Sequence, residues 1–300
     1  MIDFKPITIE DMPLYKEYLW DGVERGCEYA LANLFMWGEQ KATILCDHMV
    51  IFSHFNDMYV YPYPIGTGDK RKVLDALMED AKERGIPFRI SGMCDEKKKG
   101  LETFYANQFA FFGGQDSDDY VYDINDLADL KGRKYHKKKN HYNRFKKTYP
   151  DYRIEPIGAG NIEHVKKMVA LWYEEKMIES PDMDFAMEHR ALDKALSYYN
   201  ELALEGLALY VENELVAFTL ASRISEITFD VHFEKALSKI DGAYAFINCE
   251  FAKYIREKYP MIQFLDREED MGIEGLRKAK ESYYPHHMIA KCYAVRKDEL

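Results

Sequence analysis

From residue 227 to residue 234 apolar and polar side chains alternate without a break: Ile227, Phe229, Val231 and Phe233 against Thr228, Asp230, His232 and Glu234. A period of two predicts a strand with one face in a core and the other available. The same reading extends through the second half of the chain. A strand from Tyr152 to Ile157 leads through Gly158 and Gly160 to Asn161, an N-cap for a helix to about Lys176, and a further helical stretch runs from about Asp184 to Glu205. Strands follow at Leu207 to Val211 and Leu215 to Ser222, joined by the turn Glu212-Asn213-Glu214. After the alternating strand, Tyr244, Ile247, Phe251 and Ile255 recur at helical spacing from Asp241-Gly242 until Pro260. Ile262 to Asp266 reads as a buried strand, Ile273 to Tyr283 as a short helix stopped by Pro285, and Met288 to Val295 as a final strand.

Much of this order recurs in the first half. A strand at Phe4 to Ile7 and a helix from Asp11 precede strands at Met49 to Phe52 and Met58 to Tyr61. Val73, Leu77 and Ala81 line one face of a helix from Lys70 to Arg84, stopped by Gly85, and the strand Pro87 to Ser91 comes next. A loop with Asp95 and Glu96, a helix near Leu101 to Asn107 and a strand at Tyr120 to Ile124 complete it. Elements repeat while residues do not, which predicts an α/β fold of two tandem modules from an old duplication. The expected division is a module over 1–130, a basic helical connector over 131–149 and a second module over 150–300.

Composition sharpens this picture at one place. The formal charge is −11, yet residues 131 to 147 hold nine Lys or Arg and no acid, so the remainder carries −20. An acidic protein with one basic strip is suited to holding a single anionic group rather than to coating nucleic acid. Within the strip Tyr135, Tyr142, Phe145 and Tyr149 form an aromatic stripe at helical spacing, which predicts anchoring to a core. No stretch is long and apolar enough for a membrane helix, and Met1-Ile2-Asp3-Phe4-Lys5-Pro6 lacks the plan of a signal peptide, so a cytoplasmic location is expected. The terminal Lys297-Asp298-Glu299-Leu300 has no meaning as a retrieval address without such a signal. Five scattered cysteines predict neither a disulfide framework nor a zinc site.

Three stretches carry a family likeness: Lys137-Lys138-Lys139-Asn140-His141-Tyr142-Asn143-Arg144-Phe145; His232-Phe233-Glu234-Lys235-Ala236 with Gly242-Ala243-Tyr244 and Asn248; and Asp266 to Lys280 continuing to Tyr283 and Pro285. Over about residues 120 to 295 the chain resembles the C-terminal domain of bacterial phosphatidylglycerol lysyltransferases and its cytosolic relatives, kin to Fem-type aminoacyltransferases. The resemblance implies two tandem GNAT-like modules, each a mixed sheet flanked by helices. It also implies transfer of an amino acid from aminoacyl-tRNA, the acceptor being open. The alternatives are an acyl-CoA-dependent N-acyltransferase and a non-catalytic module that binds tRNA or another anionic ligand. Neither half shows the Arg/Gln-x-x-Gly-x-Gly/Ala loop of coenzyme-A binders. Gly66-Thr67-Gly68 before a helix is the nearest substitute and reads first as an ordinary turn.

Acyl transfer to an amine needs a proton acceptor, donors for the oxyanion and a cation for the leaving group. His232, Asp230 and Glu234 on the polar strand face are the expected catalytic residues. Lys137, Lys138, Lys139 and Arg144 are expected to bind donor phosphates, with Arg277, Lys280 and Tyr283 in the substrate pocket. The donor, tRNA or coenzyme A in type, is the expected partner, contact with a membrane surface stays compatible with the pattern, and no resident cofactor is expected. The acids of Asp266 to Asp270 lack a matching His or a calcium-loop spacing, so no metal site is expected either.

Overall fold

The computed structural model describes residues 1–20, 22–38, 40–55, 58–179 and 185–300, and two compact units emerge from it. They are interleaved in sequence. One holds Met1–Asp119, Glu269–Arg277 and Met288–Leu300; the other holds Tyr120–Glu268 and Lys278–His287. The contiguous division at 130 and 150 therefore gives way to an exchange of segments, because strand pairing and not chain proximity assigns a segment to a sheet. Cys292–Arg296 pairs antiparallel with both Arg89–Met93 and Phe109–Gly113, while Tyr122 and Val121 pair with Leu265 and Asp266.

Among the described residues, the sheet of the first unit runs Lys5–Pro6, Lys41–Leu45, His48–Phe55, Met58–Pro62, Arg89–Met93, Cys292–Arg296, Phe109–Gly113, with Ile65–Gly66 beside His48–Phe55. Met58–Pro62 and Arg89–Met93 are parallel, and the helix Lys70–Arg84 makes the crossover between them. That helix ends at Gly85 as its sequence announces, and its start is capped by a residue the sequence reading did not single out. The Asp69 carboxylate caps the Lys72 N–H, and Gly85 turns left-handed at φ +70°. Val73, Leu74, Leu77, Phe88 and Ile90 are buried between helix and sheet. The helix expected at 101–107 instead spans Asp95–Phe104, because Asp95 and Glu96 occupy its first turn, where the helix dipole favours acids. Gly66 and Gly68 serve packing: a Cβ would lie 2.1 Å from the Asp47 carbonyl oxygen at the first and 2.2 Å from that of Cys46 at the second.

The second unit repeats the plan. Its sheet runs from His287–Ile289 through Asp119–Asp123, Phe264–Asp266, Thr228–Ala236, Glu214–Arg223 and Glu205–Val211 to Arg153–Pro156. Thr228–Ala236 and Phe264–Asp266 are parallel, with the helix Ala243–Lys258 as crossover. Of the helix expected over 184–205, Ala186–Ser197 is present and Asp184 lies outside the described residues. The chain leaves the helix after Tyr198 and enters the strand at Glu205, which buries Leu207 and Leu209.

The basic strip belongs to this unit as the helix His136–Thr148. Its aromatic stripe packs on the crossover helix, with Phe145 stacked on Phe246 at 4.4 Å and Tyr142 on Phe246 at 5.0 Å. Burying side chains such as Phe145 stabilises the contact by about 1.5–3 kcal/mol each, which fixes the cationic face of the helix in place.

Candidate functional site

The strand Thr228–Ala236 is buried along almost its whole length, on both faces. Asp230 is fully buried and His232 is 7% exposed, so the polar face expected to open on a cleft is covered. The reason is its place in the sheet. It lies inside the sheet between a parallel and an antiparallel neighbour, and strands of parallel pairs are commonly buried on both faces.

A second departure breaks the expected trio apart. Leu220 pairs with Phe233 but Ala221 pairs with Val231, leaving His232 as the extra residue of a β-bulge. Cross-strand partners share a face, so Glu234 goes with Thr219 and Asp230 with Ser222. Thr219 and Ser222 are three apart on a regular strand and hence face opposite ways. Asp230 and Glu234 therefore lie on different sides of the sheet.

On the Glu234 side, one carboxylate organises a polar cluster. Glu234 Oε1 accepts from Arg267 Nη2 at 3.0 Å, and Oε2 accepts from Asn248 Nδ2 at 3.2 Å and Thr219 Oγ1 at 3.4 Å. Lys138 Nζ sits 3.9 Å from the centre of the Tyr283 ring, and the Arg267 guanidinium 5.0 Å from the same ring. Helix, strand, crossover helix, loop and the helix end thus contribute one residue each. Burial pushes the Lys138 ammonium down to about 8, the positive charge of Arg267 adds to the fall, and Glu234 opposes it. Burial opposes the charge of Arg267 as well, but Glu234 and the phenols of Tyr122 and Tyr283 hold it protonated, its pKa raised. The Tyr283 phenol is raised, chiefly by burial. Two buried polar atoms of the cluster, Arg267 Nη1 and Asn248 Oδ1, make no hydrogen bond to the described residues. One is a donor and the other an acceptor.

On the opposite side, Ser222 Oγ lies 2.8 Å from His232 Nε2, and His232 Nδ1 lies 3.2 Å from Glu268 Oε1 and 3.5 Å from Asp230 Oδ2. Both ring nitrogens are engaged. Asp266 Oδ1 accepts the Glu268 N–H at 2.8 Å, and Glu268 adopts a left-handed φ of +59° that a non-glycine residue tolerates only when held.

The remaining expected site residues disperse. Lys137 and Lys139 are exposed, and Lys139 borders a shallow cavity of about 230 Å³ with Lys131, Lys253, Asn143 and Cys249. Arg144 is exposed and pairs with Asp241 at 2.7 Å. Arg277 belongs to the first unit, where it holds both oxygens of buried Asp270, at 2.7 and 2.9 Å. Lys280 is buried, its ammonium donating to the carbonyl oxygens of Arg267 at 2.6 Å and Glu268 at 3.0 Å. It braces the turn that presents those two side chains. Of Arg277, Lys280 and Tyr283, expected together in the substrate pocket, only Tyr283, in the turn after the helix Glu274–Glu281, reaches the cluster. Sequence reasoning missed Arg267 as a member of the cluster. Asn248 had a legible signal: it is a polar residue on the helix stripe of Tyr244, Phe251 and Ile255.

The architecture is that of tandem GNAT-like proteins: the fold is shared with a tandem GNAT protein from the clavulanic acid biosynthesis pathway (TM-score 0.51, 7% identity, 98% of each chain) and with FemX (0.58, 10%, 97% of each). More narrowly, residues 22–296 match the family described as Phosphatidylglycerol lysyltransferase, C-terminal, and the chain belongs to that family. A solved conserved protein of unknown function from Bacteroides thetaiotaomicron VPI-5482 is 38% identical, with a TM-score of 0.93 over 99% of this chain and 100% of that one. L-PGS from Bacillus licheniformis shares the fold at 15% identity, with a TM-score of 0.71 over 99% and 95% of the two chains. An uncharacterized protein of Mycoplasmoides gallisepticum, MYCGA3080, is 23% identical over 184 residues, 61% of this chain and 57% of that protein's length. No helix among the described residues is long and apolar enough to cross a membrane.

Proposed function

We propose that the protein is an acyl- or aminoacyltransferase that forms an amide or ester bond, and that Lys138, Glu234, Asn248, Arg267 and Tyr283 line its reacting centre. The observation that carries this reading is the pairing of an open donor, Arg267 Nη1, with an open acceptor, Asn248 Oδ1, beside a lysine whose pKa has fallen to about 8. Acyl transfer asks for this set. A buried guanidinium N–H answers the charge that develops on a carbonyl oxygen, and an amide oxygen orients an attacking N–H or O–H. A lysine poised near neutrality takes the nucleophile's proton. Glu234 keeps Arg267 charged and aligned. His232 is a weaker choice of base, since Ser222 occupies one ring nitrogen and Glu268 with Asp230 the other.

Family membership favours an aminoacyl-tRNA donor over an acyl-CoA donor, with exposed Lys137 and Lys139 available for its phosphates. Transfer assays with isotopically labelled aminoacyl-tRNA and acyl-CoA test this. Activity with the charged tRNA, lowered roughly 10²-fold or more in Lys138→Met and Arg267→Lys, is the expected outcome. Turnover of acyl-CoA alone would select the N-acyltransferase reading. Binding of either donor without transfer would select a non-catalytic module.

A further inference from the structure

The cluster on the other side of the sheet has no part in that chemistry, yet it is built with care. Asp230, His232 and Glu268 each offer one ligand atom within 4.8 Å of the other two, and His232 Nδ1 lies 3.2 Å from Glu268 Oε1 and 3.5 Å from Asp230 Oδ2. Ligands at the 2.0–2.1 Å typical of zinc, arranged tetrahedrally, stand about 3.3–3.4 Å apart. The imidazole's other nitrogen is fixed by Ser222 Oγ at 2.8 Å, the outer contact that sets the tautomer of a metal-bound histidine. Asp266 holds the Glu268 backbone N–H, and Lys280 holds its carbonyl, so the third ligand is positioned from behind. The Asp230 and His232 side chains are at most 1% exposed and that of Glu268 is 19% exposed, which leaves Glu268 as the entry side.

We propose that Asp230, His232 and Glu268 form a binding site for a divalent transition ion of the zinc, iron(II) or manganese(II) class. One nitrogen and two carboxylate oxygens suit such ions, and a dication balances two carboxylates where an imidazolium balances one. A second cluster of similar composition is no candidate. The cluster of Cys27, Asp119 and Glu269 in the first unit already surrounds a cation of the chain, the Lys291 ammonium, 2.7 Å from Asp119 and 2.9 Å from Glu269. At the His232 cluster Ser222 Oγ stands behind the ring, 2.8 Å from Nε2. The bound ion would stiffen the turn that carries Glu268 and, next to it, Arg267. The site goes beyond the proposed transferase reading and is tested without it.

The experiment uses tag-free, chelator-stripped full chain titrated with zinc chloride and manganese chloride by calorimetry, with metal content read by mass spectrometry. One equivalent bound per chain is expected. Glu268→Gln, at the partly exposed position, weakens binding at least tenfold, and Ser222→Ala weakens it about 10–100-fold with all three ligands intact. Cys27→Ser leaves it unchanged. Should His232→Ala fail to fold, Glu268→Gln and the shift of the His232 Nδ1 resonance on zinc addition still decide. Absence of binding, or an equivalent that survives Glu268→Gln, overturns the site and leaves a structural contact of the His232 ring with Glu268, Asp230 and Ser222.

Discussion

Glu234→Gln isolates the electrostatic core of the candidate reaction centre, because it keeps the side chain's shape and removes only its charge. The Arg267–Glu234 pair is 3.0 Å apart, with side chains 14% and 9% exposed. At an effective dielectric of 20, attraction at that distance is about 5–6 kcal/mol, against which stands the cost of taking both charges out of water. What the substitution exposes is the second quantity: Arg267 stays buried with its main counter-charge gone, and breaking such pairs costs about 3–5 kcal/mol. Asn248 and Thr219 retain an acceptor in the new amide, so a loss near ~3 kcal/mol is expected. Urea denaturation followed by circular dichroism measures it as a shift in midpoint at constant slope. The companion variant Arg267→Met removes the stranded charge, and in the double variant with Glu234→Gln most of the loss should be recovered, a coupling read from the cycle. A loss below about 1 kcal/mol for Glu234→Gln, or a double variant no more stable than the singles, would refute the reasoning. Either result would describe a solvated surface pair.

Four further outcomes follow from the same geometry. Turnover should rise as pH passes about 8, where half-buried Lys138 loses its proton, and the rise should vanish in Lys138→Met; a profile flat from pH 7 to 9 excludes Lys138 as the proton acceptor. The same group acts on stability. Its folded pKa lies below the unfolded value of about 10.4, so the unfolded chain binds more protons between them and stability should climb from about pH 8 to 10, a slope that Lys138→Met removes. Arg277→Ala should lower the urea midpoint and leave donor affinity unchanged, because Arg277 clamps Asp270 in the first unit; weaker donor binding at unchanged stability would return it to the substrate pocket. Gly66→Ala should destabilise strongly, with a Cβ 2.1 Å from a backbone oxygen at φ +155°, whereas Gly114→Ala, with open space around it, should change the melting temperature little.

Local periodicity made a large part of this protein legible. The helix Lys70–Arg84 announces its apolar face and its stop, and the aromatic stripe of Tyr135, Tyr142 and Phe145 foretells the packing of a basic helix on a core. The quoted motifs led to the right family, and through it to the tandem GNAT-like architecture. Lys138, Glu234 and Tyr283, chosen from three separate stretches, meet in one cluster.

What the chain alone did not decide is everything that depends on which segments pair. Cys292–Arg296 completes the first unit's sheet and Tyr120–Asp123 the second's because hydrogen-bonded ladders join distant residues, and no spacing along the chain encodes that choice. The alternation around His232 was read correctly as a strand, but a single extra residue in the ladder turned Glu234 away from Asp230, and a bulge is a property of two strands together. No histidine stands near the acids of 266 to 270 in the sequence. The histidine beside Glu268 is His232, 36 residues away in the chain and 3.2 Å away in space, brought there by the parallel pairing of two strands.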